Sequence, residues 1–318
     1  MTAALIFPGQ GSQAVGMGKA LAAHFSEARA VFDEVDAALG QKLARLMFEG
    51  PEAELTLTAN AQPALMAVSL AVLRVLQKEA GLDLARDIKF VAGHSLGEYS
   101  ALCAAGALTI ADTARLLRIR GDAMQKAVPA GEGAMAALLG MEFGPAAAIA
   151  TEAARVDWAK AGVCQAANDN GGQQVVISGT KSTVERAMEL AKTRGAKRAV
   201  LLPVSAPFHC ALMQPAAEAM QAALAKVAIK APIVPLIANV LAAPITDPDD
   251  IRKRLVEQVT GTVRWRESVA FMAAQGVTRF TELGSGKVLA GLVKRIAPMA
   301  MATSIGTPDD VVAYRASL

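Results

Sequence analysis

The segment IKFVAGHSLGEYSA, residues 88–101, joins two patterns through a five-residue turn. Ile88, Phe90, Val91 and Ala92 make a short apolar run suited to a buried strand, and the residues from Ser95 onward (SLGEYSALCAAGAL) read as a helix. Between them, Gly93-His94-Ser95-Leu96-Gly97 is G-x-S-x-G. Where a strand turns into a helix, that spacing makes a nucleophile elbow: the glycines permit a tight, strained turn that presents the serine hydroxyl at the helix N-terminus. There the Leu96 N–H can donate to a developing oxyanion. The plain alternative is a serine that only caps the helix.

Around this turn the chain alternates strand and helix. Residues 3–7 read as a buried strand, 17–24, 27–39 and 63–79 as helices, and 110–128 as a further helix. Buried strands alternating with helices imply a parallel sheet covered on both faces, an α/β fold. After Pro129 the order becomes strand 134–140, helix 144–155, strands 163–168 and 173–179 joined at Asn170-Gly171, helix 181–195 and strand 197–204. That βαββαβ order predicts a ferredoxin-like unit. The expected division is a small subdomain, 130–203, inserted into a larger one made of 1–129 and 204–318. The larger one resumes with helix 211–226, strand 233–238, helices 248–260 and 265–275, strand 277–283 and helix 286–296.

Composition narrows the class. A chain of 318 residues, 53% hydrophobic and 19% charged, folds around a large core, and a net charge of +3 gives no sign of nucleic-acid binding. Three cysteines without C-x-x-C suit a reducing compartment and argue against a metal site or disulfide framework. No basic, apolar leader precedes the first strand, and the uncharged run 55–73 contains Thr, Asn, Gln and Pro, so it reads as a loop and buried helix rather than a membrane span. A cytoplasmic monomer without membrane contact is expected.

A serine nucleophile needs a base, and the chain has three histidines. His94 adjoins the serine on a turn whose neighbours project apart, and His24 reads as a helix-face residue. His209, in PVSAPFHCALM, lies where the chain leaves the inserted unit, a favoured position for a cleft, and is the best base by elimination and location. Cys210 beside it reads as a small buried filler. The opening loop, Gly9-Gln10-Gly11-Ser12-Gln13-Ala14, matches G-x-G-x-x-G/A and raises a dinucleotide site. Such a site needs an acidic residue ending a second strand about 20 residues later. The acids at that distance, Asp33 and Glu34, sit in a helical pattern instead.

Several segments, in order along nearly the whole chain, resemble the malonyl-CoA:acyl-carrier-protein transacylase family: FPGQGSQ (7–13), GHSLGEYSAL (93–102), LRIRGDAMQ (117–125), PFHCALM (207–213), VEQVTGTVRW (256–265) and ELGSGKVLAGL (282–292). The resemblance implies an α/β-hydrolase-like core with a ferredoxin-like insertion. It implies Ser95 as nucleophile, His209 as base, the Gln10 and Leu96 N–H groups as oxyanion hole, and Arg120 as the anchor for a malonyl carboxylate. It further implies that the histidine is oriented by a backbone carbonyl of the segment holding Gln258, rather than by an aspartate, with Gln258 and Asn168 as supporting residues. Phe208 matches malonyl-selective relatives, where a bulky ring disfavours an α-methyl branch; ordinary core packing explains it equally. The implied substrates are malonyl-CoA and a phosphopantetheinylated, acidic acyl carrier protein met transiently, with no cofactor and no metal. Arg186, Lys192, Arg194, Lys197 and Arg198 are a candidate face for that acidic partner.

Three rivals differ in what they require. A serine hydrolase needs an Asp or Glu partner and a histidine after the last strand, whereas several further elements follow His209. A dinucleotide binder lacks its acidic second strand. A carrier-docking domain without activity has no use for Ser95, His209 and Arg120 together.

Overall fold

The structure, a computed structural model, describes residues 2–155 and 162–317. Its strands, in chain order, are β1 (Ala3–Phe7), β2 (Ile88–Gly93), β3 (Gly133–Leu139), β4 (Cys164–Asp169), β5 (Gln174–Thr180), β6 (Arg198–Leu201), β7 (Leu236–Ala238), β8 (Ala243–Ile245), β9 (Arg279–Leu283) and β10 (Met301–Ile305). They form two sheets. The larger has the order β10-β9-β1-β2-β7-β8 and is parallel except for the antiparallel edge pair β7–β8. Helices cover both faces, so its strands bury alternate residues on opposite sides: Leu5 and Phe7 of β1 enter one core layer, Ala4 and Ile6 the other.

The smaller sheet is antiparallel, with the order β4-β5-β3-β6. This is the ferredoxin-like arrangement expected from the βαββαβ order. One face, with Ala136, Leu138, Val175 and Ile177, packs on the helices Phe143–Ala154 and Lys181–Thr193. The opposite face turns Met135 and Val176 toward the core of the larger sheet. The turn between β4 and β5 carries Gly171, Gly172 and Gln173 in the left-handed region, which accounts for the hairpin signal at Asn170-Gly171.

Some boundaries move. The third long helix starts at Thr58 rather than Pro63, and the proline sits in its second turn, forgoing one ladder bond. This helix, Thr58–Glu79, is long and apolar enough to cross a membrane, yet 83% of its most apolar window is buried inside the protein, as a core helix requires. β6 and β7 are shorter than expected. β8, β10 and the C-terminal helix Pro308–Ala316 were not expected from sequence. β8 has three residues with Pro244 at its centre, and β10 is an edge strand that fully buries only Ile305, so neither carries an apolar run.

The helix Ile110–Lys126 packs along Thr58–Glu79 through Gly121, where an added Cβ would lie 2.6 Å from Ala59 Cα and 2.7 Å from the Thr58 carbonyl oxygen. Both obstacles are backbone and cannot rotate away. Gly121→Ala is therefore expected to destabilise the protein by about 1–3 kcal/mol, as overpacking does. Chemical denaturation measures it; an unchanged midpoint would show that the helices separate at no cost.

Candidate active site

The elbow is built by glycines that meet face to face. A Cβ on Gly93 would lie 1.9 Å from the Gly97 carbonyl carbon, and one on Gly97 would lie 2.2 Å from the Phe7 carbonyl oxygen. The His94 N–H donates to that same Phe7 oxygen at 3.0 Å, which ties the turn to the end of β1. Ser95 is held at φ 56°, a left-handed conformation that non-glycine residues rarely adopt. His209 shares the feature, at φ 58°. Two adjoining residues held in that region mark a place where surrounding structure over-determines the backbone.

Ser95 Oγ lies 2.7 Å from His209 Nε2, and His209 Nδ1 lies 2.8 Å from the Gln258 carbonyl oxygen. A carbonyl only accepts, so Nδ1 carries the proton and Nε2 presents its lone pair to the serine hydroxyl. Burial, with the Arg120 charge beside it, pulls the imidazole down to about 3, so His209 is neutral at physiological pH. Arg120 is 1% exposed on the helix Ile110–Lys126. Its Nη1 donates to Gln62 Oε1 at 2.8 Å, and its Nη2 donates to Gln258 Oε1 at 2.8 Å and Ser95 Oγ at 3.1 Å. Its guanidinium also lies over the Tyr99 ring, 5.7 Å from the centroid.

Ser95, His209, Arg120 and Gln62 line a cavity of about 870 Å³ between the two sheets. Gln10, Leu96 and Phe208 line it from the larger unit, and Met135, Asn168 and Val176 from the smaller. The Gln10 and Leu96 N–H groups have no hydrogen-bond partner among the described residues. Around Gln10, the Ser285 hydroxyl donates to the Ser12 carbonyl and the Thr58 hydroxyl to Gln10 Oε1, fixing the loop against the core. Phe208 is both cavity wall and core residue. Asn168 stands behind the elbow, its amide nitrogen 3.4 Å from His94 Nε2. His94 turns away from Ser95 and pairs through Nε2 with Asn170 Oδ1 at 2.9 Å, while His24 lies exposed on its helix.

Two residues of this network were missed in the sequence. Asn239, just past β7, accepts the Ser95 N–H on Oδ1 at 2.8 Å and donates from Nδ2 to the Gly93 carbonyl at 2.7 Å, bracing both sides of the elbow. A polar residue at the carboxyl end of a parallel strand is the signal that could have found it. Glu98, in the first turn of the helix Gly97–Ala104, is wholly buried, and burial lifts its carboxyl to about 7. An acid in the first turn of a helix is ordinarily a solvated group favoured by the helix dipole, so nothing in the sequence singles Glu98 out. Among the described residues no group of His, Cys, Asp and Glu is placed to hold a metal ion. Of the five basic residues on the smaller unit, Arg194 pairs with Glu152, Lys192 with Glu189, and Arg186 donates to the Ala153 carbonyl.

A hydroxyl joined to a neutral, oriented imidazole, with two unpaired N–H donors and a buried guanidinium in one cavity, suits acyl transfer of an anionic acyl group. Comparison with known proteins agrees. The model of the acyl transferase domain family matches residues 4–309. The malonyl CoA-acyl carrier protein transacylase of Bacillus subtilis is 49% identical over 97% of this chain and 94% of its own. The crystal structure of acyl-carrier-protein-S-malonyltransferase from Bartonella henselae superposes with a TM-score of 0.95 at 58% identity, covering 100% of this chain and 99% of that one. A structure of a malonyl-transacylase in complex with its type II polyketide acyl-carrier protein gives a TM-score of 0.95 at 39% identity, with both chains covered in full. With that likeness running the length of the chain and the elbow at its centre, the protein belongs to the malonyl-CoA:acyl-carrier-protein transacylase family of acyl transferases.

Proposed function

We propose that the protein moves a malonyl group from malonyl-CoA to the phosphopantetheine thiol of an acyl carrier protein, through malonyl-Ser95, to supply extender units for fatty-acid or polyketide synthesis. Ser95 Oγ attacks the thioester carbonyl while His209 Nε2 takes its proton, a contribution of about 10²–10⁴-fold. The Gln10 and Leu96 N–H groups receive the oxyanion, and each such donor is worth about 3 kcal/mol. Collapse expels the CoA thiolate, which takes the proton from His209. The carrier thiol then gives its proton to His209 and attacks malonyl-Ser95, and collapse expels the Ser95 oxygen, which takes that proton back from His209. Arg120 holds the free malonyl carboxylate throughout, shifting Nη2 from Ser95 Oγ to do so. Gln258 orients His209, Asn168 supports the elbow, and Phe208 faces the α-carbon.

No oxidation state changes, so the reaction calls for no cofactor. The larger subdomain, 1–129 with 204–318, carries the nucleophile and base; the smaller, 130–203, forms the opposite wall. The protein acts in the cytoplasm, in keeping with three buried, unpaired thiols. The observation that carries this reading is the Ser95–His209 contact at 2.7 Å with Arg120 3.1 Å from the same hydroxyl. It is tested by mixing the protein with malonyl-CoA and phosphopantetheinylated carrier and weighing the carrier by mass spectrometry. Malonyl-carrier is the expected product; free malonate with unmodified carrier would favour a hydrolase instead.

A further inference from the structure

We infer that Glu98 is a positioning residue for the substrate carboxylate and takes up a proton when that carboxylate docks on Arg120. The inference rests on Arg120 as the malonyl anchor proposed above. Glu98 Oε2 accepts from Gln258 Nε2 at 2.7 Å and from the Asn239 N–H at 3.2 Å. Its Oε1 is buried and has no partner among the described residues. The nearest positive charge is one side-chain amide away, because Gln258 Oε1 accepts from Arg120 Nη2. The other titratable group that interacts with it is Tyr99 on its own helix, and the elbow and base add the imidazoles of His94 and His209 to the site. Burial keeps all three neutral, raising the phenol and lowering the imidazoles. On the helix Pro248–Thr260, Glu257 pairs with Arg254 instead.

A carboxylate wholly buried from solvent thus has two N–H donors and a share of one guanidinium. A substrate carboxylate on Arg120 places a second anion against the same cation in a low-dielectric site, which favours neutralising one of the two. The substrate group, in direct contact with the guanidinium, stays ionised. Glu98 is the group poised to protonate, since burial has already brought it to about 7. Oε1 is free to carry the proton while Oε2 keeps accepting from Gln258 and Asn239, so the elbow holds its shape in both states. Neutral Glu98 returns the whole guanidinium charge to the substrate. An uncharged acetyl group leaves Glu98 as it was.

The sign follows from linkage. Docking raises the Glu98 pKa, so malonyl binding is insensitive to Glu98 below its free value of about 7. Above it, affinity falls by up to about tenfold per pH unit until the bound-state value is passed. The direct test is proton uptake, measured by titration calorimetry in two buffers of different ionisation enthalpy at about pH 8. The protein used is Ser95→Ala, which binds acyl-CoA without being acylated. Malonyl-CoA should take up more protons than acetyl-CoA, by a difference approaching one per site that cancels the CoA phosphates, and adding Glu98→Gln should abolish the difference. Equal uptake, or a difference that survives Glu98→Gln, overturns the inference. Should that variant fail to fold, the wild-type ratio of malonyl to acetyl kcat/KM serves, and a ratio that stays flat above about pH 7 overturns it. Failure of the Arg120 reading shows separately, as malonyl-CoA binding equally well to Ser95→Ala with and without Arg120→Ala.

Discussion

Ser95→Ala is expected to abolish the covalent malonyl-protein seen by intact-protein mass spectrometry and to lower transfer by about 10⁴–10⁶-fold, the loss typical of removing the nucleophile from a hydroxyl–imidazole unit. The hydroxyl is the only group in the cavity that His209 Nε2 touches, at 2.7 Å among the described residues, so no second side chain stands ready to accept the acyl group. Cys210 follows the base in sequence, yet its thiol is turned to the Pro207 carbonyl and burial pushes it up, away from the thiolate that attack requires. The backbone that braces the elbow does not depend on the hydroxyl: Asn239 grips the Ser95 N–H and the Gly93 carbonyl in either case. A malonyl adduct that persists in the variant would overturn the assignment of the nucleophile.

Arg120→Ala should lower malonyl transfer by about 10²–10⁴-fold more than acetyl transfer, because it strands a buried substrate carboxylate without a partner, a loss of about 3–5 kcal/mol. The comparison with acetyl-CoA is essential. Arg120 Nη2 also donates to Ser95 Oγ, and both guanidinium ends hold amides, Gln62 and Gln258, so its loss disturbs the site for every substrate. Only the part specific to malonyl reports on the carboxylate. Equal losses for the two acyl groups would remove the proposed anchor and leave Arg120 a brace of the network.

The elbow was readable because its chemistry is local. Five consecutive residues contain the tight turn, and the run before it and the helix after it supply the context that makes the turn meaningful. The βαββαβ order was readable for a similar reason: β3 and β5 are short apolar runs, buried on both faces, and the Asn170-Gly171 turn marks the hairpin before β5. β10 and β8 were not, since β8 has three residues with Pro244 at its centre and β10 fully buries only Ile305, so neither shows an apolar run.

Local pattern therefore established the α/β class, the inserted antiparallel unit and the presence of a serine poised at a strand end. Of the groups around that serine, His209 followed from elimination and Gln10, Leu96, Arg120, Gln258 and Asn168 from the family resemblance, whereas Asn239 and Glu98 emerged only from the fold. Asn239 and Gln258 reach Ser95 across 144 and 163 residues of chain. Nothing in the letters around Glu98 distinguishes it from a solvated helix-end acid. Its burial comes from helices and strands far apart in sequence closing over it, and burial is what makes its proton negotiable. A residue's type and spacing are properties of the chain, whereas its dielectric surroundings exist only once the distant parts have packed.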